Sequence, residues 1–212
     1  MLRPALLAQT RALIDETDSA NSHFTDAQIY GDLNQAIRYL GTDLEWPLQL
    51  AQATPVAEQS TYTLPENFIS LSDVFYDNQQ LIIVDRADLA HIRSDWQNAT
   101  SGLPLYAYKA DNVKIGLYPK PSADRVANSE VIQIQYIKVP PDLTDDVTAP
   151  DLHVAFHDCL PFYAAFLLEH KMGNDKRAQV NLALYENQKK RLTSHVQKFA
   201  DDLMRFRWAG RY

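Results

Sequence analysis

The chain holds a single cysteine, Cys159, and only six glycines in 212 residues. One cysteine excludes an intrachain disulfide and fits a reducing compartment. Six scattered glycines leave no glycine-rich loop to cradle a phosphate. A long hydrophobic run is missing too. The longest, Cys159 to Leu168, is ten residues and contains Pro161, about half of what a membrane span needs. The N-terminal stretch MLRPALLAQTRALIDE is apolar only briefly before charge returns, so no signal peptide is expected. An excess of positive charge is also lacking: 20 Lys+Arg face 27 Asp+Glu, for a net charge of −7. Affinity for duplex DNA comes mainly from cations that neutralise phosphates. This balance therefore argues against general DNA binding, and suits a protein that sits near DNA without gripping it.

What is present is an ordinary core-forming composition, 46% hydrophobic, arranged in segments whose period changes twice. Residues 4–17 read as a short helix, with Leu6/Leu13 and Leu7/Ile14 on neighbouring stripes. Thr25-x-x-Gln28 has the form of a capping box. The helix it opens carries the stripe Ile29, Leu33, Ala36, Ile37, Leu40 and Leu44, and Trp46-Pro47 stops it. From about 60 to 139 the signals are β. Val74–Tyr76 and Leu81–Val84 flank Asp77-Asn78-Gln79-Gln80 and predict a hairpin. Leu105–Tyr108 and Val113–Tyr118 flank Asp111-Asn112, residues that tolerate the positive φ of tight turns. Ile132, Ile134 and Tyr136 alternate with Gln133 and Gln135, a strand with one wetter face. Between the hairpins, Asp85–Trp96 reads as a short helix with Leu89, Ile92 and Trp96 on one stripe.

Pro140-Pro141 ends the β region, and an acidic linker runs from Asp142 to Asp151. The next helix, from about 151, is apolar on nearly every side and so belongs in the interior. Pro161 should kink it or mark its true first turn. Gly173-Asn174 is a turn, and a long helix is expected from about Asp175 to Met204. The expected fold class is α+β: a helical bundle built from residues 1–50 and 150–203, an inserted antiparallel β-rich lobe over 55–148, and an extended C-terminal tail over 204–212.

Residues that could carry chemistry are few. His153 and His157 stand four apart and would share a face of a helix, as metal ligands do. The glutamate of a zinc-protease motif is missing, and His170 is too far along to help. Cys159 sits in the most apolar segment, where an inert core thiol is expected. No G-x-S-x-G elbow occurs, and Ser194 and His195 point apart on a helix. The pairs Asp145-Asp146 and Asp201-Asp202 read as solvated surface. Lys189-Lys190-Arg191, the only internal basic run, reads as the wet face of a long helix. No catalytic, cofactor or metal residues are assigned.

The last nine residues, Met204 to Tyr212, read MRFRWAGRY, with three arginines, three aromatics and no carboxylate. A solvated disordered tail lacks such aromatics, so this segment reads as one built for a partner.

A set of short motifs follows in order along the chain. Leu64-Pro65-x-x-Phe68 is followed by Asp77-Asn78 leading into Leu81. Asp95-Trp96 precedes Gly102-x-Pro104 and Tyr106 or Tyr108. Leu117-Tyr118-Pro119-x-Pro121 comes next, and then Pro140-Pro141-x-Leu143-Thr144-Asp145-Asp146. Phe156-His157-Asp158 opens the apolar helix with Tyr163-Ala164-Ala165. In this order, over residues 25–200, the chain resembles the phage head–tail adaptor proteins, also called head-completion, gateway or connector proteins, including the tail tubular protein A type.

The resemblance implies a structural virion protein at the head–tail junction, assembled in the host cytoplasm, with no catalysis, cofactor or membrane. Its partners would be the portal protein, other copies of itself in a ring (a dodecamer in such families), and a downstream tail, stopper or nozzle protein. Packaged DNA would pass through the channel without sequence-specific binding. By position, Arg205, Phe206, Arg207, Trp208, Arg211 and Tyr212 would dock on the portal. The alternatives are another neck protein, a stopper or tail terminator; a metal-dependent enzyme using His153 and His157; and a nucleic-acid-binding module using Lys189–Arg191 and the tail.

Overall fold

The computed structural model describes residues 1–16, 22–94, 96–128 and 130–209, with residues 195–209 described by backbone alone. The fold is α+β, with six α-helices and two four-stranded sheets among the described residues. By its internal contacts the chain divides into two compact units, Met1–Trp46 with Pro140–Tyr212, and Pro47–Val139.

The helical unit begins with α1 (Arg3–Leu13), whose Pro4 sits in the first turn, where no N–H is needed. Helix α2 (Asp26–Asp43) opens with the capping box: the Gln28 N–H donates to the Thr25 hydroxyl at 3.3 Å, and the Thr25 N–H donates to Gln28 Oε1 at 2.9 Å. Ile29, Leu33, Ala36, Ile37 and Leu40 are all fully buried on one face. The chain leaves α2 through Glu45 in the left-handed region, φ 52.

The β unit contains β1 (Leu48–Ala53), β2 (Thr61–Thr63), β3 (Phe68–Tyr76), β4 (Gln79–Gln80) and β5 (Ile82–Val84), then α3 (Arg86–Ile92). There follow β6 (Tyr106–Lys109), β7 (Lys114–Tyr118), the short α4 (Ala123–Ala127) and β8 (Ile132–Lys138). One sheet has the order β1-β8-β3-β4 and is antiparallel; the other has the order β2-β7-β6-β5. Both sheets contribute to one core, in which Ile132, Ile134 and Tyr136 are buried while Gln133 and Gln135 stay half-exposed.

Three expectations need correction here. First, Leu81–Val84 is not the return arm of a hairpin with β3. That hairpin closes with β4 and one last bond from the Leu81 N–H to β3, around Asp77 (φ 46) and Asn78 (φ 64), the paired positive φ of a tight turn. The chain then crosses to the second sheet, where β5 pairs with β6 in parallel, Ile82 opposite Tyr106, so the lobe is not wholly antiparallel. Second, neither Asp111 nor Asn112 takes a positive φ. The β6–β7 loop is wider, with the Asp111 carboxylate accepting the Val113 N–H at 2.8 Å, a side-chain mimic of a backbone turn. Third, α3 stops at Ile92 because Arg93 is extended, φ −139 and ψ 96. Ile92 is exposed, and Trp96 lies past the helix, edge-on to Tyr108 with centroids 5.3 Å apart.

Returning to the helical unit, residues Val154–Cys159 form a 3₁₀ turn, and only then does α5 (Leu160–Lys171) begin. Pro161 thus marks the first turn of α5 and does not kink it. Gly173, at φ 77, turns the chain into α6 (Asp175–Ala209). Leu6, Ile14 and Phe24 from the first part of the chain share a core with Leu143, Phe156, Leu160 and Tyr185 from the last. Polar ties reinforce it. Lys171 Nζ reaches both Asp32 carboxylate oxygens at 2.6 and 2.8 Å, and Arg177 reaches the Leu13 carbonyl at 3.2 Å and Asp15 at 2.8 Å.

Candidate assembly surfaces

Helix α6 has 35 residues and α2 has 18, so they run for about 52 and 27 Å at 1.5 Å per residue. Lys189 Nζ bonds Asp43, the last residue of α2, at 2.7 Å. Residues 190–209 therefore carry α6 past the C-terminal end of α2 by about 30 Å. No glycine or proline lies between Asp175 and Ala209 to stop it sooner. The helix was expected to end near Met204; it continues through Ala209, so the backbone of Arg205, Phe206, Arg207 and Trp208 is helical and not extended. The side chains of these four, and all of Arg211 and Tyr212, lie outside the described residues.

The histidine pair does not make a metal centre. The 3₁₀ turn replaces the helix that would have aligned the two rings. His153 caps that turn, its Nδ1 accepting the Ala155 N–H at 3.3 Å. His157 is buried, and its Nε2 donates to the Leu152 carbonyl at 3.1 Å. Its Nδ1 then accepts from the amino group of Met1. Burial holds the His157 pKa below the ordinary imidazole value. No group of three or more His, Cys, Asp or Glu side chains among the described residues is placed to hold a metal. Cys159 is fully buried, and burial pushes its thiol up to about 12, which makes it a poor nucleophile at neutral pH.

The basic run divides. Lys189 is spent inside the unit, on Asp43 and on Glu186 at 2.8 Å. Burial works against its charge, but the bonded carboxylates more than offset this and raise its pKa. Lys190 and Arg191 are exposed. Sequence reasoning passed over the neighbouring apolar face of α6. Val180 and Leu184, one turn apart, are 59% and 45% exposed. Beside them lies a shallow groove of about 330 Å³ lined by Phe162, Leu184 and Arg191. A second, of about 580 Å³ along α1 and α5, shares Phe162 and Gln188 with it. The spacing of Val180 and Leu184 was the available signal, and it was obscured by the polar residues around it.

No helix among the described residues is long and apolar enough to cross a membrane. Comparison with curated proteins gives no match. The family model described as SU10 adaptor protein matches residues 5–207, helical unit and β unit alike, and the chain belongs to that family of phage structural adaptors.

Proposed function

We propose that this adaptor assembles as a ring, a dodecamer, on the lower face of the portal, where it extends the DNA channel, helps to retain packaged DNA and joins the head to the tail or neck. Family membership implies a virion component that contacts other head and tail proteins and works without catalysis. The observation that carries the fuller reading is the extent of the match, which takes in nearly the whole chain and not a single motif. Two features support it. The net charge of −7 would let DNA slide past without sticking. The projecting end of α6 carries Arg205, Phe206, Arg207 and Trp208, with Arg211 and Tyr212 next in sequence, and arginine and tryptophan dominate interface hot spots.

The test is a pull-down of the same phage's portal by the full chain and by a chain ending at Leu203. The truncation keeps the buried α6 residues Ala178, Asn181 and Tyr185 and should stay folded by circular dichroism. The full chain should retain portal and the truncation should not. Equal retention by both would remove the tail from the docking site. Failure of the full chain to bind portal, with binding to the tail tube, would make it a stopper or terminator.

A further inference from the structure

The two sheets of the β unit pack around one core, with Val74, Ile134 and Tyr136 from one and Tyr62, Ile115 and Leu117 from the other. The connections fix which sheet edges are neighbours. β4 and β5 are joined through Leu81 alone, and the Leu81 N–H still donates to the Val74 carbonyl at 2.8 Å. These two edge strands therefore stand at the same end of the packed sheets. β1 and β2 close the sheets at the other end. So β1 and β5 are edges of different sheets at opposite ends of the unit.

Both of these edges are bare in a way sheet edges seldom are. Natural edge strands are blunted by lysine, proline, bulges or a cover. β1 reads LQLAQA and β5 reads IIV, with no charge and no proline. Leu48 and Leu50 are 48% and 47% exposed, and Ile82 and Ile83 are 59% and 43% exposed. The other two edges, Thr61–Thr63 and Gln79–Gln80, are short and mostly polar.

The ladders show which backbone groups face outward. The Lys138 N–H donates to the Pro47 carbonyl at 3.1 Å, and Leu48 is opposite Ile137. Alternation along an antiparallel pair then turns the N–H and C=O of Leu48, Leu50 and Gln52 away from β8. On β5 the Ile82 N–H donates to the Leu105 carbonyl at 3.0 Å, which leaves Ile83 with its backbone groups outward.

We propose that copies of this chain join by strand addition, β1 of one copy pairing with β5 of the next, so that a sheet continues across the contact. Outward backbone groups call for another strand in particular, not for an apolar surface in general. Leu48 and Leu50 share one face of β1, and successive side chains of β5 alternate, so one of Ile82 and Ile83 would lie beside them and be covered in the same step. Two different edges at opposite ends make a heterologous, head-to-tail contact, the kind that closes into a ring when the rotation allows. The proposal rests on the ring reading above and names the surface through which each copy meets the next.

Leu50→Lys places a charge on one edge and Ile83→Lys on the other. Leu50→Pro removes only an outward N–H and leaves the β8 ladder intact. In sedimentation velocity at increasing concentration, the wild type should self-associate and each variant should stay monomeric. An equal mixture of Leu50→Lys and Ile83→Lys should recover a dimer and nothing larger, since each supplies the edge the other lacks. A wild type that stays monomeric at millimolar concentration overturns strand addition. So do variants that assemble like the wild type, a mixture that recovers nothing, or an Ile83→Lys protein that still dimerises. Portal binding separates the two levels. If Leu50→Lys fills the portal as cooperatively as the wild type, the edge contact is wrong and the ring stands. If the wild type does not bind portal, the ring reading itself fails.

Discussion

The Tyr108 ring lies across Gly116, its register partner on the neighbouring strand, so closely that a Cβ at position 116 would fall 2.1 Å from Tyr108 Cζ. Both residues are buried, so the ring has little room to move aside. Gly116→Ala should therefore destabilise by about 3 kcal/mol, the upper end for overpacking a filled core. Removing the ring should relieve it: in the Tyr108→Ala background the same glycine change should cost less than about 1 kcal/mol. Urea unfolding of the two singles and the double measures the coupling. Equal costs in both backgrounds would mean the ring is not the obstacle.

Thr25 supports α2 through a reciprocal pair of hydrogen bonds with Gln28. Loss of an N-cap hydroxyl costs about 1 kcal/mol. Thr25→Ala should lower the unfolding free energy from urea titration by that amount, and Thr25→Ser should leave it close to wild type. A Thr25→Ala protein as stable as wild type would show that the packing of Ile29, Leu33 and Leu40 alone holds this helix end.

The contrast between these two sites shows where sequence was sufficient. The capping box and the stripe of α2 are local, with partners three and four residues apart, and both could be read directly. Alternation in Ile132, Ile134 and Tyr136 was equally local. The crossing at Leu81 was not, because a continuous apolar run looks the same whether it returns in its own sheet or enters another. Asp111-Asn112 had the right residue types for a tight turn, yet loop length and not composition set the turn, and the positive φ angles fell at Asp77 and Asn78. His153 and His157 looked paired only on the assumption of an α-helix, which Pro161 delays to Leu160. The edges β1 and β5 could not be seen at all before the strand order was known.

His157 makes stability depend on pH in a definite direction. Burial, the largest influence, lowers its folded pKa, while the unfolded imidazole titrates near roughly 6.5. As pH falls below that value, the unfolded chain takes up the proton before the folded one does. This contribution to stability is therefore full above the unfolded pKa and is lost as pH drops through the folded value. An NMR titration should place the His157 ring below the ordinary imidazole range. The fall in urea midpoint between neutral pH and pH of about 5.5 should be smaller in His157→Gln. A ring that titrates above the ordinary imidazole range would reverse the sign and sink the prediction.

Tyr185 is fully buried, and its hydroxyl has no hydrogen-bond partner among the described residues. Its ring is well placed, with the Tyr163 centroid at 5.0 Å and Lys189 Nζ 5.2 Å from its own centroid. The two parts of the side chain therefore act in opposite directions: the ring stabilises the α5–α6 contact, while a buried unpaired hydroxyl costs about 1–3 kcal/mol. Tyr185→Phe keeps the first and removes the second, so it should be neutral or stabilising by up to about 1 kcal/mol. Tyr185→Ala, which loses both, should destabilise by about 3–5 kcal/mol. The difference between the two, read from urea midpoints, separates hydroxyl from ring. A phenylalanine variant less stable than wild type by more than about 1 kcal/mol would mean that the hydroxyl is bonded in solution.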